Sequence, residues 1–424
     1  MTNPIMIIGD IVVDVTLKTS VDPYKLRLGG ITHAARGAWA LDSKYDIGFF
    51  APQYLDDNIK DYFLKHGCET QTKLGEVTGA PYVFLITEVK EAGDQGYEFL
   101  LRDQIEISYS KEPINVGSEA DVLLISGNYS LKTIFDNLNN ENIHFDLANN
   151  IQHLDELKKS GKVFSTIFLS TSSALFKRNF TTDFRQYAEL FKPFCKRLVL
   201  KENRGGSRGI DFATGDIVEI PSQTQPIVHS VGVGDVFDAT YVIHYRNYSF
   251  KEALTISSWI ASEYALTSFP DDFKLGVQRL KKVSIQDLID LGGVFIPWEK
   301  RSAFNIYIAA PDFDFLDTRE IDRVTSSLSY HNFSPRRPIK ENGQMEANAA
   351  KAQKKELFDK DMTLMNECKI LVAVILNNDP GTLVEIGFAM GIGMPAIVYD
   401  PYNLADNCML SELPTLVSDS LDEV

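Results

Sequence analysis

Nowhere in this 424-residue sequence does an apolar run approach the roughly 20 residues that span a bilayer, so no membrane segment is expected. The start, Met1-Thr-Asn-Pro-Ile-Met-Ile-Ile-Gly-Asp10, lacks the basic stretch and small-residue cleavage site of a secretory leader and leads straight into a strand. Cysteine is scarce. Cys68, Cys195, Cys368 and Cys408 are scattered without Cys-x-x-Cys spacing, so neither a zinc site nor a disulfide framework is indicated. Read as reduced thiols, they point to the cytoplasm. Basic charge is also short, 42 Lys and Arg against 58 Asp and Glu, and the formal net charge of -16 repels duplex nucleic acid. The one dense basic cluster, Arg336-Arg337 near Lys340, reads as a solvated loop. Internal repeats and low-complexity tracts are missing, and with 44% hydrophobic and 24% charged residues no disordered class fits. Small molecules are the expected partners.

What is present is enough chain for two cores, since chains beyond about 250 to 300 residues usually divide. Apolar runs at Ile5–Ile8, Val122–Ile125, Ile143–Phe145, Thr166–Leu169 and Arg197–Leu200 alternate with helical periodicity, the pattern of an α/β domain. Segments around Val15–Leu28 and Tyr82–Leu101 alternate apolar and polar residues and suit a small exposed sheet acting as a lid. The first pattern ends near Trp298-Glu-Lys-Arg301, and Phe304-Asn-Ile-Tyr-Ile-Ala-Ala-Pro311 begins a fresh strand. Domains are therefore expected over 1–300 and 301–424. In the second, a helix over roughly 346–366, a strand at Ile370–Leu376, a helix from Gly381 and a strand at Ala396–Tyr399 follow in order.

The sharpest chemical signal lies in Asn378-Asp-Pro-Gly-Thr-Leu-Val-Glu-Ile-Gly-Phe-Ala389, which follows an apolar strand and runs into a helix. That order puts Asp379 and Glu385 at the carboxyl edge of a parallel sheet, where open α/β folds keep their ligands. Asp379 before Pro-Gly also suits an ordinary turn, and Glu385 an acid favoured by the helix dipole. Apolar neighbours at Leu383, Val384, Ile386 and Phe388 make Glu385 costly unless it has work or a partner. Paired acids suit glycosidic cleavage, because a carboxylate stabilises the positive charge that builds on the sugar and a second acid protonates the leaving group.

In the first domain, His229-Ser-Val-Gly-Val-Gly-Asp-Val-Phe-Asp-Ala239 turns on Gly232 and Gly234 at a helix start, so amide N–H groups can face an anion. Asp235 at the head of that helix can take a proton from a substrate hydroxyl attacking a phosphoryl group. His33 and His229 lie near these motifs and read as polar lining residues, since nothing pairs them with a nucleophile.

Together with Gly9-Asp10, Asp14, Leu28-Gly29-Gly30 and Lys201-Glu-Asn-Arg-Gly-Gly-Ser207, that motif resembles the ribokinase-like sugar and nucleoside kinases of the PfkB family over about residues 1–300. The resemblance implies a three-layer α/β domain with a β lid, with Asp14, Gly29 and Gly30 holding sugar hydroxyls, Asp235 as base, and Gly232, Val233 and Gly234 as anion hole. ATP and Mg2+ are the cofactors it implies if the domain is active. The family's Asn past the paired glycines is replaced by Ile31-Thr-His-Ala-Ala35, and its Asn-x-x-Glu by Leu169-Ser-Thr-Ser-Ser-Ala174. The domain is thus expected to bind a sugar or nucleoside and to phosphorylate it poorly or not at all.

Tyr307-Ile-Ala-Ala-Pro311, Asp361, Asp379 with Glu385, and Asn407-Cys-Met409 resemble the nucleoside 2-deoxyribosyltransferases over residues 303–424. This implies a flavodoxin-like doubly wound sheet that needs no cofactor. Glu385 would be the nucleophile that forms a covalent sugar ester, Asp361 the acid for the leaving base, Asp379 an acceptor for sugar hydroxyls and Tyr307 the group that orients Glu385. Asn407 resembles a residue given to the site by a neighbouring subunit, implying at least a dimer. A related branch hydrolyses deoxynucleoside 5′-monophosphates, and there a small hydroxyl residue replaces the sugar-binding aspartate. Asp379 would repel that phosphate, which favours the free nucleoside. Three classes stay open: a bifunctional salvage enzyme, a single glycosyl enzyme with a kinase-like binding module, and a nucleotide-depleting effector.

Overall fold

The computed structural model describes the chain apart from residues 1–3, 17–23, 80–81, 87–89, 91, 94–97, 100–103, 112, 115, 118, 149, 182 and 347. It divides into two compact units, Met1–Glu91 with Gln95–Ile296, and Pro297–Val424 with the short piece Ala92–Asp94. Among the described residues no helix is long and apolar enough to cross a membrane.

The first unit is built on a mostly parallel ten-stranded sheet. Its central strands run Cys195–Lys201, Phe164–Ser170, Ile143–Asp146, Asp121–Ile125, Ile5–Asp10, Tyr45–Ala51 and Cys68–Thr78, every neighbouring pair parallel. Antiparallel strands close both edges: Ser207–Asp211 and Ile217–Ile220 on one side, Glu106–Tyr109 on the other. All five apolar runs expected as strands are strands, and they are buried because helices cover a parallel sheet. The helices Thr32–Ala40, Val233–His244 and Phe250–Ala265 pack into one core with the strand Ile5–Asp10. A separate sheet orders Lys25–Leu28, Val13–Thr16, Val83–Ile86 and Glu98–Phe99, so the small sheet expected near 15–28 and 82–101 is present in its described parts.

The second unit holds five parallel strands in the order Ser334–Arg336, Asn305–Ala309, Ile370–Val374, Ala396–Tyr399, Leu416–Ser418. Numbered along the unit, that order is second, first, third, fourth, fifth, the doubly wound arrangement with its reversal between Asn305–Ala309 and Ile370–Val374. Ligands in such folds sit beyond the carboxyl ends of the strands at the reversal. The helices Lys351–Asn366 and Pro380–Gly391 bracket the strand Ile370–Val374 in sequence, which brings their side chains to that point.

The basic cluster is not a solvated loop. Arg337 binds both carboxylate oxygens of buried Asp312 at 2.8 and 2.7 Å and reaches Asp322 at 2.6 Å, while Arg336 pairs with Glu341 and Glu367. These ion pairs fasten the loop after Asn305–Ala309 to the edge strand, so both guanidinium charges are matched within the unit.

Candidate active site

The helix Pro380–Gly391 starts on Asp379, whose Oδ2 accepts from the Thr382 amide at 2.8 Å and the Thr382 hydroxyl at 2.9 Å. Proline at the first helical position loses nothing there, since its missing N–H would have had no partner. This start fixes the phase of the helix and places Glu385 six residues beyond the cap. There the hydroxyl of fully buried Tyr307, from the strand Asn305–Ala309, donates to Glu385 Oε1 at 2.7 Å.

Burial pushes the Glu385 carboxyl up to about 7; Asp361 and Asp379 push it the same way, and the Tyr307 hydrogen bond opposes them. Asp361, inside the helix Lys351–Asn366, accepts from Asn342 Nδ2 at 2.9 Å, and burial raises its carboxyl too. Three acids therefore share one site. The apolar neighbours expected to enclose Glu385 divide between two faces: Ile386 is buried, but Val384 is 69% and Phe388 40% exposed. Glu385 owes its partial burial to the sheet side of the helix, where Tyr307 and Ile386 lie.

Asn407 is exposed, and its Oδ1 accepts from the Met409 amide at 2.9 Å, capping the short helix Cys408–Glu412. Asn342 and Thr382 were not singled out from sequence. Asn342 ends a five-residue helix with no motif around it; Thr382 follows Asp379 by three positions, the spacing of a cap, which was a usable signal.

In the first unit, Asp14 on the strand Val13–Thr16 is buried, and its carboxyl fills the space a Cβ on Gly29 would need. Gly30 has φ +60°, and a side chain there would strike the Asp10 carbonyl. Gly232 is left-handed, φ +76°, and caps the helix Val233–His244, so the amides of Val233, Gly234 and Asp235 open that helix. A cleft of about 530 Å³ runs along this turn, lined by Ser170, Lys201, Asn203, Gly232, Gly234 and Asp235 among others. Burial, helped by the charge of Asp146, lifts the Asp235 carboxyl to about 7 against the pull of Lys201. Lys201 Nζ bridges Asp146 Oδ2 at 3.0 Å and Asp238 Oδ2 at 2.7 Å. The Lys201 ammonium holds Asp146 below the usual carboxylate range, while burial raises Asp238 well above it.

The segment Leu169–Ala174 offers hydroxyls: Ser170 Oγ and Ser172 Oγ lie 2.8 Å apart, and Ser173 caps the helix Ala174–Asn179. Among the described residues no three His, Cys, Asp or Glu side chains cluster as a metal site. With Lys201 set between Asp146 and Asp238, this donor set does not fit a dedicated divalent ion. Turn amides, an ammonium and hydroxyls do fit a phosphate.

Residues 306–412 match the family model described as nucleoside 2-deoxyribosyltransferase. The first unit is similar in fold to phosphofructokinase-2 from Escherichia coli. A point mutant of that enzyme aligns with TM-score 0.51 and 15% identity, and the form in complex with potassium with TM-score 0.51 and 14% identity. Each alignment covers 66% of this chain and 100% of the other. No curated protein matches at a significant level. The chain thus joins a unit with the fold of phosphofructokinase-2 to a domain matched by the nucleoside 2-deoxyribosyltransferase model.

Proposed function

We propose that the second unit exchanges the base of a 2-deoxynucleoside through a glycosyl ester on Glu385. The single observation that carries this reading is the Tyr307–Glu385 hydrogen bond beside Asp361 and Asp379, inside the segment matched to the transferase family. The Glu385 carboxylate forms a bond to C1′ while the C1′–N bond breaks, and the departing base takes a proton from Asp361. A second base then attacks C1′ through its ring nitrogen, the ester bond breaks, and Glu385 leaves as carboxylate while the proton returns to Asp361. Tyr307 orients the nucleophile; Asp379 commits Oδ2 to its helix and offers Oδ1 to a sugar hydroxyl. Asn407, exposed at the start of Cys408–Glu412, would serve a neighbouring copy in an assembly of at least two. The test is to mix purified protein with thymidine and adenine. Deoxyadenosine and thymine are expected; thymine with free deoxyribose would move the assignment to the hydrolase branch, and no cleavage would end it.

For the first unit, the cleft beside Gly232 and Asp235 supports binding of a sugar or nucleoside with weak phosphoryl transfer, since hydroxyls stand where a carboxylate would organise magnesium. Robust ATP-dependent phosphorylation lost in Asp235→Asn would overturn the weak-transfer reading and make the chain bifunctional.

A further inference from the structure

Among the side chains the helix Thr32–Ala40 buries are His33 and Arg36, one turn apart. His33 Nε2 lies 2.9 Å from Asp14 Oδ2, whereas Nδ1 lies 2.7 Å from the Tyr264 hydroxyl and 3.2 Å from Arg36 Nη1. A guanidinium donates and never accepts, so Nδ1 must present its lone pair and the ring proton must sit on Nε2. The imidazole consequently donates to Asp14 and receives on its other side. Burial keeps it uncharged, lowering it to about 4 against the upward pull of Asp14. Arg36 is fixed in turn, donating from Nη1 to Tyr264 at 2.9 Å, from Nε to Tyr62 at 2.6 Å and from Nη2 to the Leu28 carbonyl at 3.2 Å.

The same ring supports a second element. A Cβ on Gly232 would collide with the His33 imidazole, so the left-handed turn that leads to Asp235 rests directly on it. One side chain therefore touches both the Asp14 carboxylate and the glycine turn, which come from opposite ends of the unit's sequence.

We propose that His33, the residue standing near where the kinases carry Asn, is a positioning residue: its uncharged imidazole, protonated on Nε2, holds the Asp14 carboxylate toward an acceptor hydroxyl and braces the Gly232 turn. The role rests on reading the first unit as a kinase-like ligand site. An acceptor and a base work together only if their geometry is held to a fraction of an ångström, and a ring locked by an acceptor on one side and donors on the other does that at small entropic cost.

The test uses the full chain labelled with 15N-histidine, His33→Gln identifying the resonance. Long-range 1H–15N spectra at neutral pH are expected to give a neutral ring protonated on Nε2; an Nδ1-protonated ring or an imidazolium overturns the proposal. Amide exchange over 230–236 is expected to quicken about tenfold in His33→Ala, the effect of losing roughly 1.4 kcal/mol of local support. His33→Gln, with a donor and an acceptor on one amide, should restore it, and unchanged exchange in His33→Ala overturns the brace. Phosphorylation is then assayed with ATP, magnesium and either ribose, adenosine or fructose 6-phosphate. For any acceptor turned over, His33→Ala should raise KM about tenfold with a smaller change in kcat, and His33→Gln should recover KM; an unchanged KM contradicts the positioning of Asp14. If wild type turns over none of the three, the kinase-like reading fails for these acceptors, while the spectra and exchange still decide what His33 does.

Discussion

Tyr307 and Glu385, 78 residues apart in sequence, meet through a 2.7 Å hydrogen bond from phenol to carboxylate. The strand carrying one and the helix carrying the other flank the reversal of a doubly wound sheet, so the contact is a direct product of strand order.

This bond sets the pH dependence. Glu385 attacks as a carboxylate and is raised to about 7, so the rising limb of kcat/KM for base exchange should follow its ionisation. Tyr307→Phe removes the one interaction that lowers the acid, so the rising limb should move to higher pH and the rate at about pH 6 should fall roughly tenfold, the effect of one charge-assisted hydrogen bond. A limb unmoved by Tyr307→Phe would mean the phenol does not act on the nucleophile.

Asp361 has the opposite requirement, since it must hold a proton to give to the departing base. Its carboxyl is raised by burial and accepts from Asn342. Asp361→Asn should cut exchange about 100-fold and remove the falling limb of the pH profile. Asn342→Ala takes away a donor that lowers Asp361, so the falling limb should shift to higher pH. Rates of Asp361→Asn equal to wild type would place the proton source elsewhere.

Asp379 has two duties that separate by substitution. Asp379→Ala loses the cap on Pro380–Gly391 and should cost about 1 kcal/mol in urea unfolding, with KM for the deoxynucleoside raised as well. Asp379→Asn keeps an acceptor for the Thr382 amide, so stability should hold while KM still rises. If both variants lose stability without a change in KM, the residue is a cap alone.

The alternation of apolar runs made both α/β units legible, because a buried parallel strand is covered on both faces and polar side chains there would lose water without gaining a partner. The edge strands escaped notice. Ser334–Arg336 is three residues of Ser, Pro and Arg, and Leu416–Ser418 is equally short, so neither has enough residues for a period, and partnering by a neighbouring strand decides them. Glu385, Asp361, Asp379 and Tyr307 were legible from spacing and resemblance, and the structure brings them to one place. Their electrostatics were not, because the burial of Glu385 depends on Tyr307 across the sheet while Val384 and Phe388 beside it in sequence face outward. The ion pairing of Arg336 and Arg337 was hidden for the same reason, their partners lying up to 31 positions away.

The most direct measurement is to incubate the protein with excess thymidine, quench in acid and weigh the peptide that contains residue 385. The account predicts a deoxyribosyl increment on that peptide, absent in Glu385→Gln, which should also lose base exchange. Exchange that persists in Glu385→Gln, with no increment on the wild-type peptide, would contradict it.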